Sequence, residues 1–489
     1  MHSALLVDEL LREVFDHCCS DNEYRKTLVQ LARCCQAWKE PALRKAWEDL
    51  PSITPLMKLV VSVMVPRTSP SDSLTLVQTT AGVFPEELDG YARMVKHVTL
   101  RTKVEKETAL DTLFQDTTFF QNLQSVAVLM DGCAAPAVHL LLSPMLATVT
   151  VDIGVSTGRA TGVERSGNIA AYLSVLQSSS IPIQKLNIRG FACEKLNRAV
   201  CSLPTLKSLS LKVGTSLSTT TVIDIASFPF LEELFIHADR VNADSLKESL
   251  ASSSSPVFQN LRTLDIRSSV EVTATIIEHV QSASFTRLSI EATQDDDSAW
   301  THLYSVIPTT IQDIHIDHHI DLDEPTNDTT DTINYHPFTI KKLGVLSKLT
   351  ALRAFRLETN APVDFVDKDV EGLTKWWPTL KILDLAISPY GECKEGDREA
   401  QMVSWTPKLT VECLRTIAKG WPHLERLGLP IDLASKFKQI QDFPIHTRLR
   451  ELRIIPPLSA EPYAPPIDAN IAFIRNLFPS IRRNFDVFN

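Results

Sequence analysis

A six-residue phrase recurs along the chain and constrains the fold more than any other feature. It consists of an apolar residue, two mostly polar residues, an apolar residue, a variable residue and a final apolar residue, as in LKSLSL from Leu206. Thirteen copies begin 23 to 44 residues apart, most of them 23 to 30. They start at Val95, Leu123, Leu146, Ile183, Leu206, Leu231, Leu261, Phe285, Ile311, Leu352, Leu380, Leu424 and Leu449. Such self-similarity predicts a structure made by stacking one unit many times.

The end of each copy alternates apolar and variable residues, which is typical of a β-strand. Helical patterns lie between copies, as in NADSLKESLASS from Asn242 and VECLRTIAKGW from Val411. One strand and one helix per unit are typical of leucine-rich repeats, whose stacked units share a continuous core. We therefore predict an α/β leucine-rich-repeat solenoid with a C-terminal cap over residues 94–489. The alternative is an α/β domain whose strands merely look alike. The longer gaps, at 146–183, 311–352 and 380–424, are expected to be loops or insertions.

Residues 1–50 have a different hydrophobic pattern and are predicted to form a separate helical domain. Residues 51–93 are predicted to be a linker and a first irregular repeat. In LLVDELLREVFDHC, the apolar residues fall on one helical face and the charged residues opposite. A second helix is expected after Ser20–Glu23, with Leu28 and Leu31 on its apolar face, and a third around Pro41 to Leu50. Three short helices form a very small core, which needs a further partner to cover it.

The phrases LVDELLREVF, LVQLARCCQAW and ARCCQAWKEPALRKAWEDL make this segment similar to an F-box, and together with LFPSIRR near the C-terminus they resemble the F-box-like repeat proteins of mushroom-forming fungi. The resemblance implies that the helices dock on the Skp-family adaptor of an SCF-type ubiquitin ligase. The apolar contact would come from Leu6, Leu10, Val14, Phe15, Leu28 and Leu31. The alternative is that these residues only seal the end of the solenoid, since a repeat array needs a cap.

In a solenoid of this kind, the variable residues of the strands point outward from the concave face. That register predicts a basic stripe with one aromatic residue on an otherwise acidic protein. The stripe comprises Lys185, Arg189, Lys212, Phe235, Arg267 and Arg287. Arginine beside an aromatic residue is typical of binding hot spots, so we predict target binding here. The alternative is a solvated sheet surface with scattered charge.

A net charge of −10 disfavours nucleic acid as a partner. No secretory signal or bilayer-spanning segment is indicated, so we expect an intracellular protein, cytoplasmic or nuclear, with its nine cysteines reduced. The segment from Asp321 imitates a calcium loop but has Thr326 and Thr332 where glycine and glutamate are required. A metal at His315, His318 and His319 is disfavoured, because the latter two are expected in a loop.

These observations predict a non-enzymatic protein with no catalytic residue, metal or cofactor. It would be the substrate-recognition subunit of an SCF-type ligase, linked through the adaptor to a cullin–RING ligase. It would bind a protein target and be monomeric outside the complex. The alternative is a leucine-rich-repeat interaction scaffold without a ligase connection.

Overall fold

The structure is a computed structural model, and its elements follow the repeat pattern. It describes residues 7–18, 24–56, 86–101, 118–132, 136, 139–154, 159–214, 217–252, 256–292, 297–318, 338–359, 363–387, 407–433, 444–455, 467–481 and 485–487. The chain divides into two compact units, Met1–Leu217 and Ser218–Asn489.

The first unit opens with three helices, α1 (Asp8–His17), α2 (Tyr24–Cys34) and α3 (Gln36–Glu48). The sequence predicted the third helix around Pro41 to Leu50, and this start is wrong. The break between the helices falls at Cys35, whose backbone is extended, and α3 begins immediately after it. Pro41 therefore lies inside α3, where it has no N–H to donate to the carbonyl of Ala37.

The rest of the first unit alternates strands with helices. Its described strands are β1 (Asp49–Leu50), β2 (His97–Arg101), β3 (Ser125–Leu129), β4 (Thr148–Asp152), β5 (Lys185–Gly190) and β6 (Ser208–Val213). Its further described helices are α4 (Glu86–Met94), α5 (Arg159–Ser178), α6 (Glu194–Cys201) and a 3-10 helix at His139–Leu141. Each strand pairs with the next in parallel, so that Val126, Val149 and Leu186 stand opposite one another in a buried row.

The second unit repeats the arrangement. Its main sheet comprises β7 (Glu233–His237), β8 (Thr263–Arg267), β9 (Arg287–Ala292), β10 (Asp313–His318), β12 (Ala354–Thr359), β14 (Ile382–Ile387), β15 (Arg426–Pro430), β16 (Glu451–Ile455) and β17 (Phe485–Val487), all parallel in chain order. The strands β11 (Phe338–Thr339) and β13 (Val363–Asp364) form a separate pair. Its described helices are α7 (Thr219–Ala226), α8 (Ala243–Ser252), α9 (Val270–His279), α10 (Asp297–Val306), α11 (Ile340–Leu343), α12 (Asp367–Trp376), α13 (Cys413–Gly420) and α14 (Ile467–Leu477), with 3-10 helices at Gly344–Lys348 and Pro479–Ile481.

Each of the thirteen sequence motifs contains a strand that begins two residues after the motif start, so the predicted leucine-rich-repeat fold is confirmed. The central apolar residue of each motif is buried, and in the second unit Leu264, Leu288, Ile314 and Phe355 stand in register on successive strands. A backbone ladder precedes these strands. The carbonyl of Glu232, for example, accepts the N–H groups of both Arg262 and Thr263.

The gap at 146–183 is the place where the expectation of a loop fails. The 20-residue helix α5 fills much of it. Its sequence places Ile169, Tyr172, Leu173 and Leu176 on one buried face, at the spacing of an amphipathic helix. In the other two long gaps, residues 319–337 and 388–406 lie outside the described residues, including the calcium-like segment from Asp321. The rest of these gaps contains α11, the 3-10 helix at Gly344–Lys348 and α13.

Candidate functional site

Some apolar residues of the N-terminal three-helix segment pack in its core, and others are exposed. Leu11, Phe15, Leu28, Ala42 and Ala46 form a buried cluster. The ring of Trp38 meets the ring of Phe15 edge-on, with 6.4 Å between centroids. The side of α1 that carries Leu11 and Phe15 therefore faces inward.

The six residues predicted to contact an adaptor divide between this core and the surface. Phe15 and Leu28 lie in the core, with 1% and 0% of their surface exposed, and Leu31 packs against it. Leu10 and Val14 are 44% and 46% exposed. Leu6 lies outside the described residues. The structure thus brings Leu10 and Val14 together on the outer face of α1, away from Phe15.

Two further exposed apolar residues were not singled out from the sequence. Val7, at the N-cap of α1, is 42% exposed, and Val29 on α2 is 39% exposed. Val7, Leu10 and Val14 follow one another at spacings of three and four residues, so they share one helical face. The sequence alone therefore indicates that these three residues share a face. We call Val7, Leu10 and Val14 the apolar face of α1.

The second candidate site is the outward-facing surface of the strands. In the first unit, Lys185, Arg189 and Lys212 are exposed, as the motif register predicts. Arg189 stands directly opposite Lys212 on the neighbouring strand, and opposite Asp152 on its other side. Like charges facing each other across two strands repel, and an anion bound between them relieves that repulsion.

In the second unit, the predicted basic residues are interleaved with acidic ones. Phe235 is half-buried, whereas Arg267 and Arg287 are exposed. Arg267 forms ion pairs at 3.2 Å with both Asp239 and Glu291. Arg287 stands in register with Asp313 on the next strand. The outward face of this unit therefore carries mixed charge.

The acidic residues responsible stand at outward positions that the motif register predicts, but the predicted basic stripe does not include them. They occupy the outward positions of five neighbouring strands: Asp265, Glu291, Asp313, Asp317, Glu358 and Asp384. Several lie against basic side chains of the same surface. Arg356 donates to Asp313 at 2.8 Å, and His315 Nε2 lies 3.4 Å from Glu358.

A glycine lets two side chains approach each other across a strand. Asp384 on β14 and Arg453 on β16 reach over the intervening strand β15, with 4.0 Å between Oδ1 and Nη2. The residue between them is Gly428, where a Cβ atom would collide with the Asp384 carboxylate. The carboxylate of Asp384 can therefore occupy its position only because residue 428 has no side chain.

The histidine cluster near the end of β10 differs from the expectation. His315 and Asp317 occupy outward strand positions, as predicted, but His318 belongs to the strand and is buried instead of entering a loop. Its ring meets Trp300 edge-on at 5.2 Å, so packing explains its position. His319 lies outside the described residues. Within the described ranges, no group of three His, Cys, Asp or Glu side chains is arranged to hold a metal.

No described helix is long and apolar enough to cross a membrane. Burial raises the pKa of the Cys413 thiol, and Asp367 and Glu412 raise it further. That thiol is therefore held in its protonated, unreactive form.

Comparison with known proteins gives likenesses of fold. No protein-family model matches the chain, and no curated protein sequence does. Among solved structures, the leucine-rich-repeat-containing protein LegL7 from Legionella pneumophila is similar at a TM-score of 0.35 and 12% identity, over 65% of this chain and 97% of that one. The structure of the yeast Rad7 and Elc1 complex gives a TM-score of 0.37 and 11% identity, over 91% of this chain and 92% of that one. A TLR13–ssRNA13 complex gives a TM-score of 0.29 and 12% identity, over 76% of this chain and 59% of that one. Likenesses at these scores transfer no function to this chain.

Proposed function

We propose that the chain is a substrate-recognition subunit of an SCF-type ubiquitin ligase. Its N-terminal F-box-like helices bind a Skp-family adaptor, and through the adaptor a cullin–RING ligase, inside the cell. The observation that carries the proposal is the apolar face of α1, where Val7, Leu10 and Val14 are exposed. Burying a fully exposed valine or leucine side chain contributes about 1.5–3 kcal/mol. These three side chains still expose 42–46% of their surface, so a partner that covers them gains part of that energy from each.

The separation between core and surface supports a docking role for α1. A residue that holds the three helices together cannot also be covered by a partner, and Phe15 and Leu28 serve the first purpose. The apolar face of α1 lies about a quarter turn around the helix from Leu11 and Phe15, so one edge of the apolar stripe packs in the core and the other is exposed. An amphipathic helix of this kind offers its exposed apolar edge to a partner.

The strand surface would receive the protein target, and the role of the chain would be binding rather than catalysis. In the second unit, the alternation of Arg267, Glu291, Arg356 and Glu358 suits a target segment that carries both signs of charge. In the first unit, Arg189 and Lys212 suit an acidic or phosphorylated residue.

Co-purification with a recombinant Skp-family adaptor tests the adaptor step. Leu10→Asp combined with Val14→Asp should abolish it, because two charges would be buried at the contact. Val163→Asp is a matched control, since Val163 is an equally exposed valine on another helix, at 46%. A folded Leu10→Asp/Val14→Asp protein that still binds the adaptor normally would show that the adaptor contact lies elsewhere.

A leucine-rich-repeat interaction scaffold without a ligase connection is the second candidate. It is favoured by one observation, that Phe15 and Leu28 of the resemblance-based contact set lie in the core of the helical segment. In that case the helices would chiefly cap the repeats. The scaffold predicts no adaptor binding by the wild-type chain, with target binding by the strand surface retained.

A further inference from the structure

A charged groove opens in the first unit where α1, α3 and α4 meet the start of the repeats. Its volume is about 520 Å³, which lies in the range of small-molecule sites. Five cationic residues line it, Arg12, Arg44, Lys45, Arg93 and Lys96, against two acidic ones, Asp16 and Glu48. Cationic residues of the lining thus outnumber acidic ones by three, on a chain whose net charge is −10.

The two lysines and the two carboxylates form a chain of ion pairs that fixes the groove. Lys45 Nζ lies 2.6 Å from Asp16 and 2.8 Å from Glu48, and Lys96 Nζ lies 2.7 Å from Glu48. The backbone N–H of Lys96 also donates to the carbonyl of Glu48 at 2.8 Å. Burial lowers the pKa of Lys45, but hydrogen bonds and charges from Asp16 and Glu48 outweigh it and raise that pKa overall. The network holds α1, α3 and the residue before β2 in fixed positions.

The other three cationic residues of the lining are Arg12, Arg44 and Arg93. Arg44 pairs with Glu40, and Arg93 pairs with Asp89, each one turn away on its own helix. Neither of those carboxylates lines the groove. Exposed pairs of this kind contribute about 0–1 kcal/mol, so a stronger anion can replace the carboxylate. Guanidinium groups bind phosphate oxygens in pairs, which gives them preference for phosphate over a point-like anion.

The groove also has room for a carbon skeleton. Pro41 and Met94 add apolar surface to its lining. Gly90 lines it from α4, and a Cβ atom placed there would have no other atom within 4 Å. From this geometry we propose that the groove binds an organic phosphate, whose phosphate oxygens contact Arg12, Arg44 and Arg93.

This site is separate from the proposed adaptor contact. Arg12 and Asp16 lie about half a turn around α1 from Leu10 and Val14, because two residues turn an α-helix by roughly 200°. A ligand in the groove therefore leaves the apolar face of α1 uncovered. Failure of adaptor binding would not bear on the groove, and the reverse also holds.

Isothermal titration of the full chain with two probes tests the proposal. Fructose 1,6-bisphosphate represents a free metabolite, and a doubly phosphorylated serine peptide represents a modified protein segment. We expect one of them to bind, and each of Arg44→Gln and Arg93→Gln to weaken that binding about tenfold, as the loss of one charged hydrogen-bonding group does. Binding of the sugar alone or of the peptide alone identifies the source of the phosphate, and either result supports the site.

Two further variants distinguish the groove from general charge effects. Arg198→Gln is the matched control, because Arg198 is an exposed arginine of the same unit, paired with Glu194 one turn away and outside the groove. It should leave the affinity unchanged. Gly90→Phe should fill the groove and abolish binding without lowering the melting temperature, since replacing a helical glycine favours the helix. The proposal is overturned if neither probe binds at millimolar concentration, or if the arginine and Gly90 variants bind as the wild type does.

Discussion

The indole N–H of Trp421 donates to the backbone carbonyl of Trp377 at 2.9 Å, and both side chains are fully buried. Similar hydrogen bonds connect these residues to the preceding and the following repeat. Trp377 Nε1 donates to the carbonyl of Leu346 at 3.1 Å, and His446 Nε2 meets the carbonyl of Trp421 at 2.8 Å. Three ring N–H groups therefore join four successive repeats, in a chain that mostly lacks the asparagine found after the strand in many leucine-rich repeats.

Trp421→Phe should lower the free energy of unfolding by about 1–3 kcal/mol, because it removes a buried hydrogen bond and leaves a small void. The Trp377 carbonyl would keep only its bond from the N–H of Leu380. Denaturant unfolding measures the change. Trp376→Phe is the control, since Trp376 is only half-buried and should shift stability by less. Equal effects at the two positions would contradict a structural role for the indole ladder.

Removal of residues 444–489 should destabilise the second unit. His446 accepts the N–H of Leu449 at Nδ1 while its Nε2 meets Trp421, so the ring links β16 to the preceding repeat. The truncation removes this ring, exposes the edge of β15, and removes the buried residues Phe478 and Ile481. A lower melting temperature in calorimetry is the expected outcome, because a repeat array needs a covered end. A truncated chain that melts like the full one would disprove the C-terminal cap.

Gly428→Ala should destabilise the second unit by about 1–3 kcal/mol, the usual cost of overpacking. The new methyl group would collide with the carboxylate of Asp384. Asp384→Ala in the same chain should restore most of the loss, because it removes the group that is struck. A double-mutant cycle by thermal unfolding measures this coupling. Gly214→Ala is the control, since a Cβ atom at Gly214 has nothing within 4 Å.

The fold could be predicted because the repeat is a local pattern. Each strand lies inside its own motif, so that Leu264 or Ile314 shows its buried position without reference to distant residues. Helix α5 was missed for a physical reason. Gly162 and Gly167 suggest a loop, yet both are helical, and Gly162 lies where a Cβ atom would strike the ring of Phe191. That contact depends on tertiary packing, which the local sequence does not reveal.

The candidate sites could be predicted only in part. Leu10 and Leu11 are adjacent and both apolar, so the helical pattern alone does not decide which of them faces the core. Likewise, the register identifies Arg267 as outward-facing but does not show that Asp239 and Glu291 converge on it. Those pairings depend on neighbouring strands and turns. The groove beside Lys45 could not be predicted either, because residues from three helices meet there.

Acid should weaken the network around Glu48. Burial raises the pKa of Glu48, but hydrogen bonds and charges from Lys45 and Lys96 outweigh it and hold that pKa below its ordinary value of 4.5. A carboxyl with a lowered pKa in the folded state stabilises the fold above the unfolded-state value, and this stabilisation is lost as the pH falls through the folded value. The stability difference between wild type and Glu48→Gln, measured by denaturant unfolding, should therefore be largest near neutral pH and shrink below about pH 4.5. A difference that is constant with pH would contradict the network.

Replacing adjacent leucines of α1 by alanine should change the stability of the N-terminal segment by very different amounts. Leu11 is 2% exposed and belongs to the core cluster, whereas Leu10 is 44% exposed. Leu11→Ala should destabilise the N-terminal segment by about 2–5 kcal/mol, because the lost methyl groups leave a cavity. Leu10→Ala should change stability by less than about 0.5 kcal/mol, as surface substitutions do.

Hydrogen exchange of the α1 to α3 amides measures both changes in the segment itself. Adaptor binding by the same two variants then separates folding from docking. Leu10→Ala should bind more weakly while its exchange is unchanged, because it removes apolar surface only from the contact. Leu11→Ala should bind more weakly only to the extent that exchange shows its segment to be unfolded. If Leu10→Ala instead accelerates exchange throughout the segment, Leu10 supports the fold, and the apolar face of α1 is not available to a partner.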